Sequence, residues 1–440
     1  MMKKKLPKLI GLKKDDFDLF VQSGQIQVQQ ARLIPVLKVG DEMALTSIFL
    51  SSLRLIKEYR ESIFKDIKLG KGGKVFYYTE VTFPELEKSR IDGLILIVKS
   101  GIIQNAVFFE MKNKNNGIDE EQIDKYLNLL KKLSVKTLVT VSNEFVADPT
   151  HSPVKVKVPK NMSLYHFSWT YLLTRAQLLL FINDHNIEDE YQNEIMREVL
   201  AYFDNPISGI SGYTQMKPGW KELAENIRAQ KPLKLTDKYI EDAVLSWYEE
   251  EKDMALLISR KLGVLVKSSP KNKQSIKDDI KRVVKDNYLA GSLSIKDSVS
   301  DIKVIAEFER RTVSMSSKII PPLDKGNVGR ISWVVRQLEN CRKKSNGAFD
   351  KIYGKLWVEA DVKFARENLK VKLTELDSLT ELSKRKEIQA FRIVYINDFG
   401  VNFASNKKFI ELIEKMVLDY YEGVVQHMTN WNRPAPKLNH

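Results

Sequence analysis

The stretch IDGLILIVKSGIIQNAVFFEMK, residues 91–112, decides the fold of the first part of the chain. Two runs rich in apolar, β-branched and aromatic residues, IDGLILIV and NAVFFEMK, flank a turn-forming segment, which predicts two antiparallel strands. Asp92 opens the first run, and Glu110 and Lys112 close the second. Because residues i and i+2 of a strand point to the same face, this pairing predicts two carboxylates and one ammonium at one end of a small sheet.

The flanking sequence predicts the elements around these two strands from its hydrophobic periodicity. A glycine-rich turn follows the first helical pattern, and each later pattern is bounded by polar or glycine-containing segments. The predicted order is α-β-β-β-α-β. The elements are an amphipathic helix at 44–67, strands at 74–81, 91–98 and 105–112, a helix at 118–133 and a buried strand at 136–141.

The predicted group of charged residues is suited to binding a divalent cation. Asp92 and Glu110 would repel each other, and Mg²⁺ prefers one or two carboxylates together with water and phosphate oxygens. Lys112, on the same face, could orient a water or offset phosphate charge. Gln122 and Tyr126 lie four residues apart on one face of the next helix, so both can point towards the same place. The alternative is a solvated salt bridge at a sheet edge, beside a half-exposed glutamine and a packed tyrosine.

The ordered set Asp92-Gly93, Glu110-Met111-Lys112 and Gln122-x-x-x-Tyr126 resembles the PD-(D/E)XK nuclease superfamily, and its helix element is similar to the RecB-like branch. The resemblance covers roughly residues 42–142 and implies a restriction-endonuclease-like fold. It further implies that Asp92 and Glu110 bind the metal, that Lys112 assists the attacking water, and that Gln122 and Tyr126 help to position DNA. An acidic residue of the first helix sometimes completes such sites, which makes Glu42 a candidate metal ligand. The chain departs from the pattern at the proline, which is replaced by Ile91.

Composition limits the remaining function classes. The chain has 440 residues and a formal net charge of +14, which is typical of a protein with an acidic partner such as nucleic acid, but equally of a generic basic surface that aids solubility. A single cysteine, Cys341, excludes an internal disulfide and a structural zinc site built of cysteines, and it is typical of a reducing, cytoplasmic setting. No run approaches the roughly 18 apolar residues that a membrane helix needs, so no membrane association is expected.

The chain as a whole is predicted to be an α/β protein with three regions. They are a PD-(D/E)XK nuclease-like domain at 1–168, a mostly helical region at 169–290, and a basic α+β domain at 291–440. The last region concentrates lysine and arginine on and around a predicted helix. Its predicted nucleic-acid contacts are Arg330, Arg336, Lys343 and Lys344; a solvated helix face or a protein-binding face is the alternative.

Together these features predict a nuclease that depends on Mg²⁺ or Mn²⁺ and hydrolyses phosphodiester bonds of DNA, in defence against foreign DNA or in repair. The sequence leaves RNA open as a substrate, leaves endo- or exonuclease action open, and leaves room for a protein partner or a homo-oligomer. One alternative is a catalytically silent nucleic-acid-binding or assembly protein on the same fold. Another is a scaffold in which the motif is a coincidence.

Overall fold

The protein is a mixed α/β chain, and its described residues form 13 α-helices and two β-sheets. Among the described residues, no helix has the length and apolar character of a membrane span. The computed structural model describes residues 8–30, 40–70, 72–86, 89–114, 116–146, 149–181, 187–384 and 386–432. Contacts divide the chain into a first unit, Met1–Tyr213 with Ser259–Val264, and a second unit, Thr214–Ile258 with Leu265–His440.

The first unit is built on a six-stranded sheet with the order β1-β2-β3-β4-β5-β6. The first four strands pair antiparallel, whereas β4, β5 and β6 pair parallel, with helix α4 connecting β4 to β5. The elements of this unit are α1 (Lys14–Gln22), β1 (Gln27–Gln30), α2 (Glu42–Leu55), α3 (Lys57–Asp66), β2 (Lys74–Phe83), β3 (Ser89–Lys99), β4 (Ile102–Met111), α4 (Glu120–Leu133), β5 (Thr137–Ser142), β6 (Ser163–Ser168), α5 (Trp169–Phe181) and α6 (Glu190–Phe203).

The predicted single helix at 44–67 is wrong, because the chain forms two helices, α2 and α3, separated at Ile56. Ile56 has an extended backbone. The Arg60 guanidinium donates to the carbonyls of Leu53 and Arg54, which have no helical partner because they lie in the last turn of α2. Ile56 is fully buried in the same core as its neighbours, so the apolar pattern runs on through the break. Hydrophobic periodicity alone therefore does not reveal where α2 ends.

Both faces of the first sheet are covered by apolar side chains. Helices α2, α3, α5 and α6 contribute to one core cluster, whereas α1 and α4 contribute to the other. Gly93 allows α2 to approach closely, since a Cβ there would lie 2.9 Å from Leu50 Cδ1 and 3.1 Å from Phe109 Cβ. Phe109 belongs to the α2 cluster and Phe108 to the α4 cluster, which by alternation places Glu110 on the α4 side of β4.

Helices α5 and α6 belong to the first unit. Trp169, Leu172, Val199 and Phe203 are all buried in the α2 core cluster. The predicted middle region, 169–290, is thus divided between the two units, and the unit boundaries differ from the three predicted regions.

The second unit contains a seven-stranded antiparallel sheet with the order β12-β11-β13-β10-β9-β8-β7. Its first strand in chain order lies wholly before residue 291, where the predicted α+β region begins, and its second strand starts before that residue and runs past it. The elements are α7 (Pro218–Arg228), α8 (Lys238–Leu262, whose last residues are assigned to the first unit), β7 (Val266–Ser268), α9 (Lys273–Asp286), β8 (Tyr288–Ile295), β9 (Ile302–Glu307), β10 (Thr312–Ile319), α10 (Asn327–Lys344), α11 (Ala348–Ile352), β11 (Leu356–Val362), β12 (Leu369–Lys372), α12 (Ser378–Leu382), β13 (Ile388–Asp398) and α13 (Asn406–Gly423).

Candidate metal and nuclease site

Strands β3 and β4 bring Asp92 and Glu110 together, as the predicted antiparallel pairing requires. Gly93 pairs with Phe109, and the same register places Asp92 beside Glu110. The backbone N–H of Met111 donates to Asp92 Oδ2 at 2.8 Å. Two carboxylates of neighbouring strands therefore lie at one end of the sheet, next to strand residues that are mostly buried.

Glu110 is buried without a full set of hydrogen-bond partners. Only 1% of it is exposed, and neither carboxylate oxygen accepts a hydrogen bond of ordinary geometry from the described residues. Lys112 Nζ lies 2.7 Å from Oε1, so it supplies charge but not a well-directed N–H. A buried polar group without a partner costs about 1–3 kcal/mol, and a charged group costs more. The Glu110 oxygens are thus available to a ligand, and a divalent cation fits two neighbouring carboxylates.

The pKa values at the site are set by burial and by the short distances between the charged groups of Asp92, Glu110 and Lys112. Burial and then the charge of Glu110 raise the pKa of Asp92 well above its usual value, against the opposing effects of the Met111 N–H and Lys112. Burial alone would lower the pKa of Lys112, but its close contact with the Glu110 carboxylate, together with the charges of Asp92 and Glu42, raises it above its ordinary value. Lys112 therefore carries a positive charge near neutral pH, whereas Asp92 holds a proton more readily than an ordinary aspartate.

Glu42 lies in the first turn of α2, close enough to Lys112 to influence its charge, but its carboxylate has other partners. Its Oε1 accepts from the backbone N–H of Asn113 at 3.0 Å and from the side-chain amide of Asn116 at 2.7 Å. Across the part of the chain that the structure describes, no group of three or more His, Cys, Asp or Glu side chains is arranged to hold a metal ion. The geometry thus fits an ion with two protein carboxylates better than one with three direct acidic ligands.

Gln122 and Tyr126, the predicted helix pair, contact each other and strand β3. Gln122 Nε2 donates to the Tyr126 hydroxyl at 2.9 Å, and that hydroxyl donates to the Arg90 carbonyl at 3.1 Å. Burial and then the charge of Glu110 raise the pKa of Tyr126, so its hydroxyl keeps its proton. The pair therefore holds the start of β3, two residues before Asp92, from the α4 side.

Two residues near the site were not predicted. Glu80, on β2, is 8% exposed, and its Oε2 lies 3.2 Å from Nη1 of Arg90, which belongs to β3. The available signal was an acid inside the otherwise apolar and aromatic strand KVFYYTEVTF. A buried strand position is unfavourable for an unpaired carboxylate, so such an acid indicates either a partner or a function.

The basic residues predicted to contact nucleic acid lie on α10 in the second unit, and they fall into two groups. Arg336, Lys343 and Lys344 are exposed, and Arg336 Nε donates to the Ser332 carbonyl within its own helix. Arg330 is only 5% exposed, and its guanidinium donates to the carbonyls of Leu323 and Ile388. The predicted role of Arg330 is therefore not supported by its position, because its guanidinium is already used to hold the protein together.

Comparisons with known proteins give no family for this chain. No family model matches the sequence, and neither curated proteins nor solved structures match it. Function is therefore inferred from the site itself.

Proposed function

We propose that the first unit is a PD-(D/E)XK-type nuclease core with a restriction-endonuclease-like fold, and that the protein hydrolyses phosphodiester bonds of DNA. The observation that carries this proposal is the pair Asp92 and Glu110, side by side at the end of buried strands, with Lys112 on the same face. The incompletely partnered oxygens of Glu110 support it, because a structural ion pair would satisfy them.

Asp92 and Glu110 would hold Mg²⁺ or Mn²⁺. The chemistry that such an ion supplies is stabilisation of the negative charge that develops on the scissile phosphate. Lys112, kept charged by its acidic neighbours, would orient the attacking water or offset phosphate charge. Gln122 and Tyr126, which fix the start of β3, would help to position the DNA strand beside the carboxylates.

The basic face of α10 would supply contacts to DNA phosphates that do not depend on the base sequence. Arg336 in the middle of this helix and Lys343 and Lys344 at its end are exposed, and no ion pair is found for them among the described residues. Exposed cations of this kind bind phosphates and steer a charged polymer, but they do not read bases. This contribution is separate from the chemistry at Asp92 and Glu110.

A catalytically silent nucleic-acid-binding protein on the same fold is the second candidate. Lys112 lies 2.7 Å from Glu110 and could serve as a permanent counter-ion in place of a metal. Under this alternative the protein binds DNA through its basic surfaces and leaves phosphodiester bonds intact.

Incubation with closed circular and linear DNA, with and without Mg²⁺, separates the two candidates. The nuclease proposal predicts cleavage with Mg²⁺ or Mn²⁺ and none with EDTA, and cutting of the closed circle would identify an endonuclease. A parallel incubation with RNA tests the substrate class. Binding without cleavage under every metal condition would favour the silent protein, whereas cleavage that persists in EDTA would contradict the metal-dependent mechanism.

A further inference from the structure

Glu80 occupies an irregular position in β2, directly across from Asp92. The pairs Thr79 with Gly93 and Val81 with Ile91 flank it on the β3 side, so the same register sets Glu80 opposite Asp92. On the other side of β2, the pairing with β1 shifts by one residue between Gln27 and Gln29, which indicates a bulge. Bulges redirect side chains and are common next to active sites.

The backbone at Glu80 is also unusual. Its φ is +50°, in the left-handed region that residues other than glycine rarely adopt. Tyr78 and Val81 contact the same core cluster although they are three residues apart, so the regular alternation of the strand is broken at this point. A strained conformation persists only where the surrounding structure imposes it, and such positions cluster at functional sites.

The Glu80 carboxylate is buried and only half partnered. Oε2 lies 3.2 Å from Arg90 Nη1, but Oε1 is buried and has no hydrogen-bond partner among the described residues. Arg90 itself is 58% exposed on its side chain, so it does not require this partner in order to remain solvated. Burial raises the pKa of Glu80, and the charges of Asp41 and Glu110 raise it further, against the opposing effect of Arg90. The strand register, which sets Glu80 opposite Asp92, makes it a third acid next to the proposed cation site.

We propose that Glu80 is the third acidic residue of the cation site and acts on the ion through a water molecule. This inference rests on the proposed function. The described part of the chain holds no set of three acids arranged as direct ligands, so contact through water is the role that remains for Glu80. Mg²⁺ keeps several of its waters in protein sites, and carboxylates that accept hydrogen bonds from those waters strengthen binding. Glu80 is thus a positioning residue for the ion, and Arg90 balances the charge of its second oxygen.

Calorimetric titration of Mn²⁺ into the full chain tests this role without depending on cleavage. Glu80→Gln keeps the size of the side chain but removes its charge, and we expect it to weaken Mn²⁺ binding about 10-fold or more. Arg90→Gln removes only the counter-charge, so binding should be unchanged or tighter. Glu121→Gln, an exposed acid on α4, is the matched control and should bind like the unmodified protein.

Glu80→Gly is a second variant for the case that Glu80→Gln fails to fold, because glycine adopts a positive φ without strain. We expect it to melt at or above the temperature of the unmodified protein while binding Mn²⁺ as weakly as Glu80→Gln. If the unmodified protein binds no Mn²⁺, the proposed function itself fails. If it binds and Glu80→Gln binds equally well, only the role of Glu80 is overturned. Equal weakening in Glu80→Gln and Arg90→Gln would show that Glu80 serves the Arg90 ion pair, and would also overturn the inference.

Discussion

Two buried glutamates, Glu110 in the first unit and Glu251 in the second, are held in different ways. Glu251 lies on α8, and its Oε1 accepts from the backbone N–H groups of Ser269 and Ser292, each at 3.0 Å. Its Oε2 lies 2.9 Å from Lys271 Nζ and, like both oxygens of Glu110, accepts no well-directed hydrogen bond from the described residues. Glu110 has an ammonium at a similar distance but no backbone N–H on either oxygen.

The difference lies in what surrounds each carboxylate. Glu251 is 0% exposed and its charge is balanced by the protein, so its removal should damage the fold. Glu110 is almost as buried, but it lies beside a second carboxylate, Asp92, and we propose that the partner it still lacks, besides Lys112, is an ion from outside the chain. Burial of an acid alone therefore does not indicate a site; at Glu110 we base the proposal on burial, unused oxygens, the like charge of Asp92 and the position at a strand end taken together.

The largest expected effect is the loss of cleavage when either site carboxylate is neutralised. Asp92→Asn or Glu110→Gln should reduce the rate by about 10³-fold or more, because the charge that holds the ion is removed. Melting of the metal-free variants should match or exceed that of the unmodified protein, since a buried like-charge pair is relieved. Cleavage assays beside thermal melts measure both, with Glu121→Gln as the control. Variants that retain ordinary cleavage rates would refute the assignment.

Glu251→Ala should destabilise the fold, unlike the variants of Asp92 and Glu110, which should lose cleavage but keep their stability. Loss of this carboxylate leaves Lys271, whose side chain is 9% exposed, as an uncompensated buried charge, so the free energy of unfolding should fall by about 3–5 kcal/mol. Urea denaturation of the purified variant measures this change. A variant as stable as the unmodified protein would show that Glu251 and Glu110 do not differ in the way we describe.

Lys112→Ala should lower the cleavage rate by about 10²-fold, in line with the loss of a positioned charge at the reacting centre. Mn²⁺ binding should survive or tighten, because an ammonium is not a metal ligand and competes with the ion for Glu110. Single-turnover rates and calorimetry separate these effects. If the variant lost the metal as completely as Asp92→Asn, the role of Lys112 would have to be revised.

Replacing Arg336, Lys343 and Lys344 together by alanine should weaken DNA binding by similar factors across sequences. Each lost phosphate contact reduces the slope of log affinity against log salt by about 0.9, so the slope should flatten by about 2–3 units. Fluorescence anisotropy over a series of salt concentrations measures it. Arg330→Lys serves as a contrast, since Arg330 is buried: it should change stability but not the salt slope. A triple variant with an unchanged slope would assign this face to another partner or to solvent.

Metal affinity should rise with pH, by at most about tenfold per pH unit for one released proton. The pKa of Asp92 is raised in the folded protein, so its protonated form is favoured there and the ion must displace that proton. In the metal-free protein the same shift stabilises the fold at low pH, and this contribution is lost as pH rises through the raised pKa. Titrations of Mn²⁺ at several pH values test whether the affinity rises with pH. An affinity that stays constant or falls as pH rises would contradict the prediction.

The central strands and the pairing of Asp92 with Glu110 could be predicted from the sequence, because strand periodicity and the position of a charge at a strand end are local signals. The end of α2 could not be predicted, because Ile56 is extended in the structure but continues the apolar pattern of the helices on either side. The burial of Arg330 depends on carbonyls far away in sequence, such as that of Ile388. Glu80 was missed because a left-handed φ and a bulge are set by tertiary pairing, not by residue type.

The central claim, that Asp92 and Glu110 hold a divalent cation, is tested most directly by crystals of the protein soaked in Mn²⁺ and measured at a wavelength where manganese scatters anomalously. Our account predicts one strong anomalous peak between these two side chains, with carboxylate oxygens about 2.0–2.3 Å from it. It further predicts that the peak disappears in Glu110→Gln. An empty site at saturating Mn²⁺, or manganese bound only at exposed acids elsewhere, would contradict the account.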